Sequence, residues 1–83
     1  MSLRIEWTSP AAHDLAALPD WRLAAVVDAA VDRYAGSGIG FVLHLRLADG
    51  PDEFRLLIPR VRTYVRVRRT VTTLYVERII YRP

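Results

Sequence analysis

The chain is expected to adopt an α+β fold: a mainly antiparallel sheet of four to five strands with two helices on one face. Three observations predict it. From Phe54 to Tyr81, three runs of alternating apolar and polar residues follow one another with little between them, the pattern of a three-stranded meander. From Leu23 to Tyr34, apolar residues recur instead at helical spacing. The 83 residues suffice for one domain, with a core of one sheet under one layer of helix.

Met1 and Ser2 read as a frayed end or one added in expression. Leu3 to Thr8 alternates Leu3, Ile5 and Trp7 against Arg4, Glu6 and Thr8, which predicts a first strand. Ser9 as a capping hydroxyl and Pro10 at the first helical position start a short helix, Ala11 to Leu18, with Leu15 and Leu18 inward and Pro19 after it. Asp20 caps a second helix whose inner stripe is Leu23, Val26, Val27, Ala30, Val31 and Tyr34, and Gly36 ends it. The glycine-rich link Gly36 to Gly40 leads to Phe41–Leu47, either an additional strand or an extended arm. Ala48, Asp49, Gly50 and Pro51 then form a turn.

In the meander, the content of Val61, Thr63, Val65, Val67, Thr72 and Val76 favours strands. A tight hairpin at Arg69 and Thr70 would set Tyr64 opposite Tyr75, Arg66 opposite Thr73 and Arg62 opposite Glu77. A turn at Pro59 and Arg60 would set Leu56 opposite Thr63, Arg55 opposite Tyr64 and Glu53 opposite Arg66. This register buries Phe54, Leu56, Thr63, Val65, Leu74 and Val76. It leaves Arg55, Leu57, Arg62, Tyr64, Tyr75 and Glu77 on an open face.

Composition excludes several classes of function. Without cysteine there is neither a disulfide framework nor a thiolate zinc site. The glycine-rich link lacks the lysine of a phosphate loop, and the chain contains no lysine at all. His13 and His44 have no ligand at metal spacing, so no metal or other cofactor is expected. Ser2, Ser9 and Ser37 suggest no serine–histidine–acid system. With no long apolar run and no leader pattern, a cytoplasmic protein without membrane contact is expected.

The net charge is +3, all twelve basic side chains are arginine, and five of them (Arg60, Arg62, Arg66, Arg68 and Arg69) fall within ten residues. Arg55, Arg62, Tyr64, Arg66, Tyr75, Arg78, Tyr81 and Arg82 make a surface suited to phosphates and unpaired bases. The same residues also suit a solvated sheet face neutralised by cross-strand pairs. Periodicity alone does not choose between the two.

The order strand, two helices, meander resembles the RelE/ParE toxin superfamily of type II toxin–antitoxin systems over nearly the whole chain. The resemblance is carried by Ala11-Ala12-His13-Asp14-Leu15-Ala16-Ala17-Leu18, similar to an "A..dL..L" pattern, and by Phe54 to Tyr64, similar to "yRlrvgdyRviY". The seven-residue step from Arg55 to Arg62 is its most specific part. The chain departs from the pattern in having Pro59 and Arg60 at the glycine turn, Ile80 where some relatives carry histidine, and no general base besides Glu53, Glu77 or Tyr81.

The resemblance implies one RelE/ParE-like toxin domain over residues 1–83. In its RelE-like form it implies a metal-independent endoribonuclease acting on messenger RNA at the ribosome. There Arg62 and Tyr81 would be catalytic, with Arg55, Tyr64, Arg66, Arg78 and Arg82 binding substrate. In its ParE-like form it implies a DNA gyrase inhibitor, and a third form is a catalytically degenerate antitoxin-binding protein. Each implies a cognate acidic antitoxin and leaves a homodimer open.

Overall fold

The computed structural model describes residues 2–83, so the end assigned to Met1 lies partly outside the described residues. Strand β1 (Arg4–Trp7) leads into helices α1 (Ser9–Ala16) and α2 (Trp21–Ser37). Strands β2 (Phe41–Leu45) and β3 (Glu53–Ile58) follow, then a 3₁₀ turn over Pro59–Val61, and strands β4 (Thr63–Arg69) and β5 (Thr73–Tyr81). The five strands form one sheet in the order β1-β5-β4-β3-β2. It is antiparallel except that β1 runs parallel to β5. The α+β class is as expected, and Phe41–Leu45 is a strand and not an arm.

Both helices pack on one face of the sheet. Leu23, Val27, Val31 and Ala35 of α2 and Ala11 of α1 meet Leu56, Ile58, Val65, Val67, Leu74, Val76 and Ile79 in a single core cluster. Leu15 and Leu18 pack at its margin. Phe54, expected inside, shares their side of the sheet but lies exposed at the end of its strand, where its ring stacks on His44 at 4.4 Å.

The helix boundaries move by a residue or two for identifiable reasons. Thr8, not Ser9, caps α1: its backbone is extended and its Oγ1 accepts from the Ala11 N–H at 3.3 Å. The same hydroxyl donates to the Val76 carbonyl at 2.9 Å, so capping also fixes the strand-to-helix corner. Asp20 caps α2 as expected, accepting from the Arg22 N–H at 2.8 Å. The helix continues past Gly36 to Ser37, because Gly38 at φ 75° is the left-handed residue that closes it.

Both meander turns are longer than expected, and the registers shift accordingly. Leu56 pairs with Val65, Arg55 with Arg66 and Leu57 with Tyr64. Pro59 has the φ of a 3₁₀ turn and not of a tight hairpin, and Arg62 closes that turn in the left-handed region at φ 53°. Arg62 is therefore a turn residue and is not opposite Glu77. At the other turn the Thr70 N–H donates to the Thr73 carbonyl and its Oγ1 accepts from the Thr73 N–H, so Arg69 pairs with Leu74 and Arg68 with Tyr75. A bulge then leaves Glu77 unpaired between the Val67–Val76 and Arg66–Arg78 pairs.

Candidate functional site

The open face carries two arrangements of arginine, distinguished by whether a carboxylate neutralises them. In the middle of the face, Glu53 pairs with Arg55 and lies 3.8 Å from Arg66, while Glu77 lies 3.9 Å from Arg66 and 3.5 Å from Arg68. The Arg55 guanidinium stacks on Tyr64 and that of Arg68 on Tyr75, each 4.4 Å from the ring centroid. Both tyrosine rings thus already carry a cation from their own chain.

The second arrangement lies where the β3–β4 turn meets the end of β5. The Arg82 N–H donates to the Arg62 carbonyl at 3.0 Å, and Thr63 pairs with Tyr81. These contacts bring Arg60, Arg62, Tyr81 and Arg82 to one corner of the sheet. Among the described residues, Arg60, Arg62 and Arg82 form no ion pair, in contrast to Arg55, Arg66 and Arg68. The bulge also changes the side on which Tyr81 lies. One extra residue moves the buried positions of β5 from Val76 to Ile79, so Tyr81 faces the helix-covered side. It lines a cleft of about 330 Å³ with Asp20, Arg22, Leu23, Val26 and Val61.

Arg78 is held elsewhere. β1 ends at Trp7 opposite Val76, which leaves the lateral edge of β5 beyond that point without a strand. Asp14 of α1 occupies that edge, accepting from the Ile79 N–H at 3.0 Å, from Arg78 Nε at 2.7 Å and from Arg78 Nη2 at 3.1 Å. The Arg78 guanidinium bonded to it holds the Asp14 carboxyl below the usual carboxylate range, and Asp14 raises Arg78 in turn.

Two features had little signal in the sequence. The Asp14–Arg78 bond spans 64 residues. A concavity of about 540 Å³ has a mainly apolar lining of Tyr34, Val42, Phe54, Val67 and Val71, together with Arg68, Arg69 and Thr70. Exposed Phe54 and Val71 were legible only as alternation. Among the described residues no group of three histidine, cysteine or carboxylate side chains is placed to hold a metal. No helix among them is long and apolar enough to cross a membrane.

No protein-family model matches the chain, and neither does any curated protein. Among solved structures, a chain of the toxin–antitoxin complex RelBE2 from Mycobacterium tuberculosis is similar over 99% of this chain and 100% of its own, with a TM-score of 0.77 and 24% identity. At that identity the likeness is one of fold. It agrees with the expected architecture, a mainly antiparallel sheet under two helices.

Proposed function

We propose that this chain is the toxin component of a type II toxin–antitoxin system, acting as a metal-independent endoribonuclease on messenger RNA at the ribosome. The observation that carries the toxin reading is the end-to-end fold likeness to a chain of a toxin–antitoxin complex. The RNA reading is supported by the unpaired corner of Arg60, Arg62 and Arg82 beside Tyr81. In this reading a ribose 2′-hydroxyl attacks the adjacent phosphate, and the Arg62 guanidinium stabilises the charge that develops on it. Arg82 adds a second cation from the neighbouring strand, whereas Tyr81 faces the helix-covered side, in the cleft with Asp20 and Arg22, and can stack or transfer a proton only from that side. Arg55, Tyr64, Arg66 and Arg78 contribute less, because each is already engaged with a partner of its own chain.

The cognate antitoxin is expected to be acidic. The mainly apolar concavity with Arg68 and Arg69 in its lining suits a segment carrying apolar anchors beside carboxylates. A second reading, ParE-like inhibition of DNA gyrase, is favoured by the neutralised centre of the open face, which suits a protein surface better than a polyanion. Induction in a bacterial host separates the two: translation stops first for the nuclease, DNA replication first for the gyrase inhibitor.

A further inference from the structure

We infer that the free edge of β2 is a self-association surface and that its partner is a second copy of this chain. β2 is the terminal strand of the sheet. Apart from its ladder with β3, no backbone-to-backbone hydrogen bond involves residues 39–47 among the described residues. Sheet edges are ordinarily protected by lysine, proline, bulges or inward charges. The run from Ile39 to Leu47 has no lysine, proline or bulge; its polar side chains are Arg46 and His44, the latter bonded to Asp52 at 2.7 Å, and both lie on the face away from the odd positions.

Its odd positions are instead all apolar: Ile39, Phe41, Leu43, Leu45 and Leu47. Four of them are exposed, Ile39 at 63%, Phe41 at 72%, Leu43 at 42% and Leu47 at 47%. Phe41, Leu43 and Leu45 share the open face with their partners Leu57, Arg55 and Glu53. The run has the same pattern in both directions about Leu43. Antiparallel pairing across a two-fold axis there sets Leu43 against its own copy, Phe41 against Leu45 and Ile39 against Leu47. On the other face, Val42 meets His44 and Gly40 meets Arg46, so no like charges are opposed. Moving the axis by one residue toward the C-terminus keeps Leu43 against Leu45 and Phe41 against Leu47 but sets His44 against His44 and Ile39 against Asp49, so the axis at Leu43 gives the longer apolar match.

The pairing is isologous, so it closes as a dimer and does not propagate. It joins two five-stranded sheets into one of ten strands. The inference rests on this edge alone and does not depend on the toxin reading.

The test uses the whole chain at up to about 100 µM, because one strand pair lies at the small end of interface sizes. Sedimentation should show a dimer. The chain has no cysteine, so Leu43→Cys gives a single thiol. Paired residues of an antiparallel ladder lie within disulfide range, and mild oxidation should yield a covalent dimer. Val71→Cys, exposed on the β4–β5 turn, should not. Leu43→Glu should raise the dimer dissociation constant about 100-fold by placing like charges on the axis, with an unchanged melting temperature at dilutions where both proteins are monomeric. A parent that stays monomeric without a Leu43→Cys cross-link would overturn the inference. So would a dimer that Leu43→Glu leaves intact, or a monomer whose residues 39–47 gain hydrogen-exchange protection only from a different polypeptide.

Discussion

Replacing Asp14 by alanine removes the acceptor that holds the Ile79 N–H on the sheet edge where β1 gives out. The buried Ile79 N–H would lose its acceptor. An unpaired buried donor costs about 1–3 kcal/mol. The exposed Arg78 guanidinium adds little to this, because solvent screens its interaction. A loss of ~2 kcal/mol lowers the melting temperature of a domain of this size by roughly 8–16 °C. Asp14→Asn should fall between parent and Asp14→Ala, since an amide oxygen can still accept from Ile79 but carries no charge. The pH dependence has a definite sign. The folded-state carboxyl is held below its ordinary value by Arg78. Its contribution is therefore complete above the unfolded value, about pH 4, and is lost as pH falls through the folded one. Thermal unfolding of parent and Asp14→Ala from pH 7 downward should show a wide gap that narrows as pH falls through the folded-state value, toward the Asp14→Asn level, because the protonated carboxyl can still accept from Ile79. Equal melting temperatures at pH 7, or a gap that persists unchanged in acid, would refute the reasoning.

Two further outcomes test the core and the electrostatics. Val65→Ala or Leu74→Ala, both fully buried at the sheet centre, should each cost about 2 to 4 kcal/mol in denaturant unfolding; no change in the midpoint would refute the face assignment. Glu53→Gln combined with Glu77→Gln frees Arg55, Arg66 and Arg68, so affinity for single-stranded RNA should rise and its salt slope steepen by ~0.7 per added phosphate contact. An unchanged slope would show that these arginines do not reach phosphates even when released.

The face of nearly every strand residue was legible in the sequence, whereas the strand registers were not. The reason lies in the period of a strand. The β3–β4 register differs from the tight-turn expectation by two residues and the β4–β5 register near its turn by four, and even shifts leave every side chain on its side. Alternation thus placed Leu56, Thr63, Val65, Leu74 and Val76 inside without locating the turns. Turn lengths depended on the φ of Pro59, the left-handed Arg62 and the Thr70 hydroxyl, all local geometry that periodicity does not encode. The odd shift, the bulge at Glu77, is what altered the candidate site: it turned Tyr81 toward the helices. Arg62 and Arg82 still converge, because the longer turn and the bulge leave the two chain segments in backbone contact. The parallel pairing of β1 with β5 and the Asp14–Arg78 bond join residues more than sixty apart, and nothing in either segment names the other.

The central claim is that the unpaired arginine corner cleaves message, and Arg62→Ala tests it most directly. Arg62 is exposed and forms no ion pair among the described residues, so its removal should cost less than ~1 kcal/mol of stability. A cation that stabilises a transition state is worth ~3 to 4 kcal/mol of barrier, or two decades or more in rate. Induced in a bacterial host, the parent should cut a translated reporter message at sites mapped by primer extension. Arg62→Ala, accumulating to the same level, should cut it at least about a hundredfold more slowly, and Tyr81→Phe should show a smaller loss. Intact message in cells that carry stalled gyrase on DNA, or equal cutting by parent and Arg62→Ala, would contradict the account.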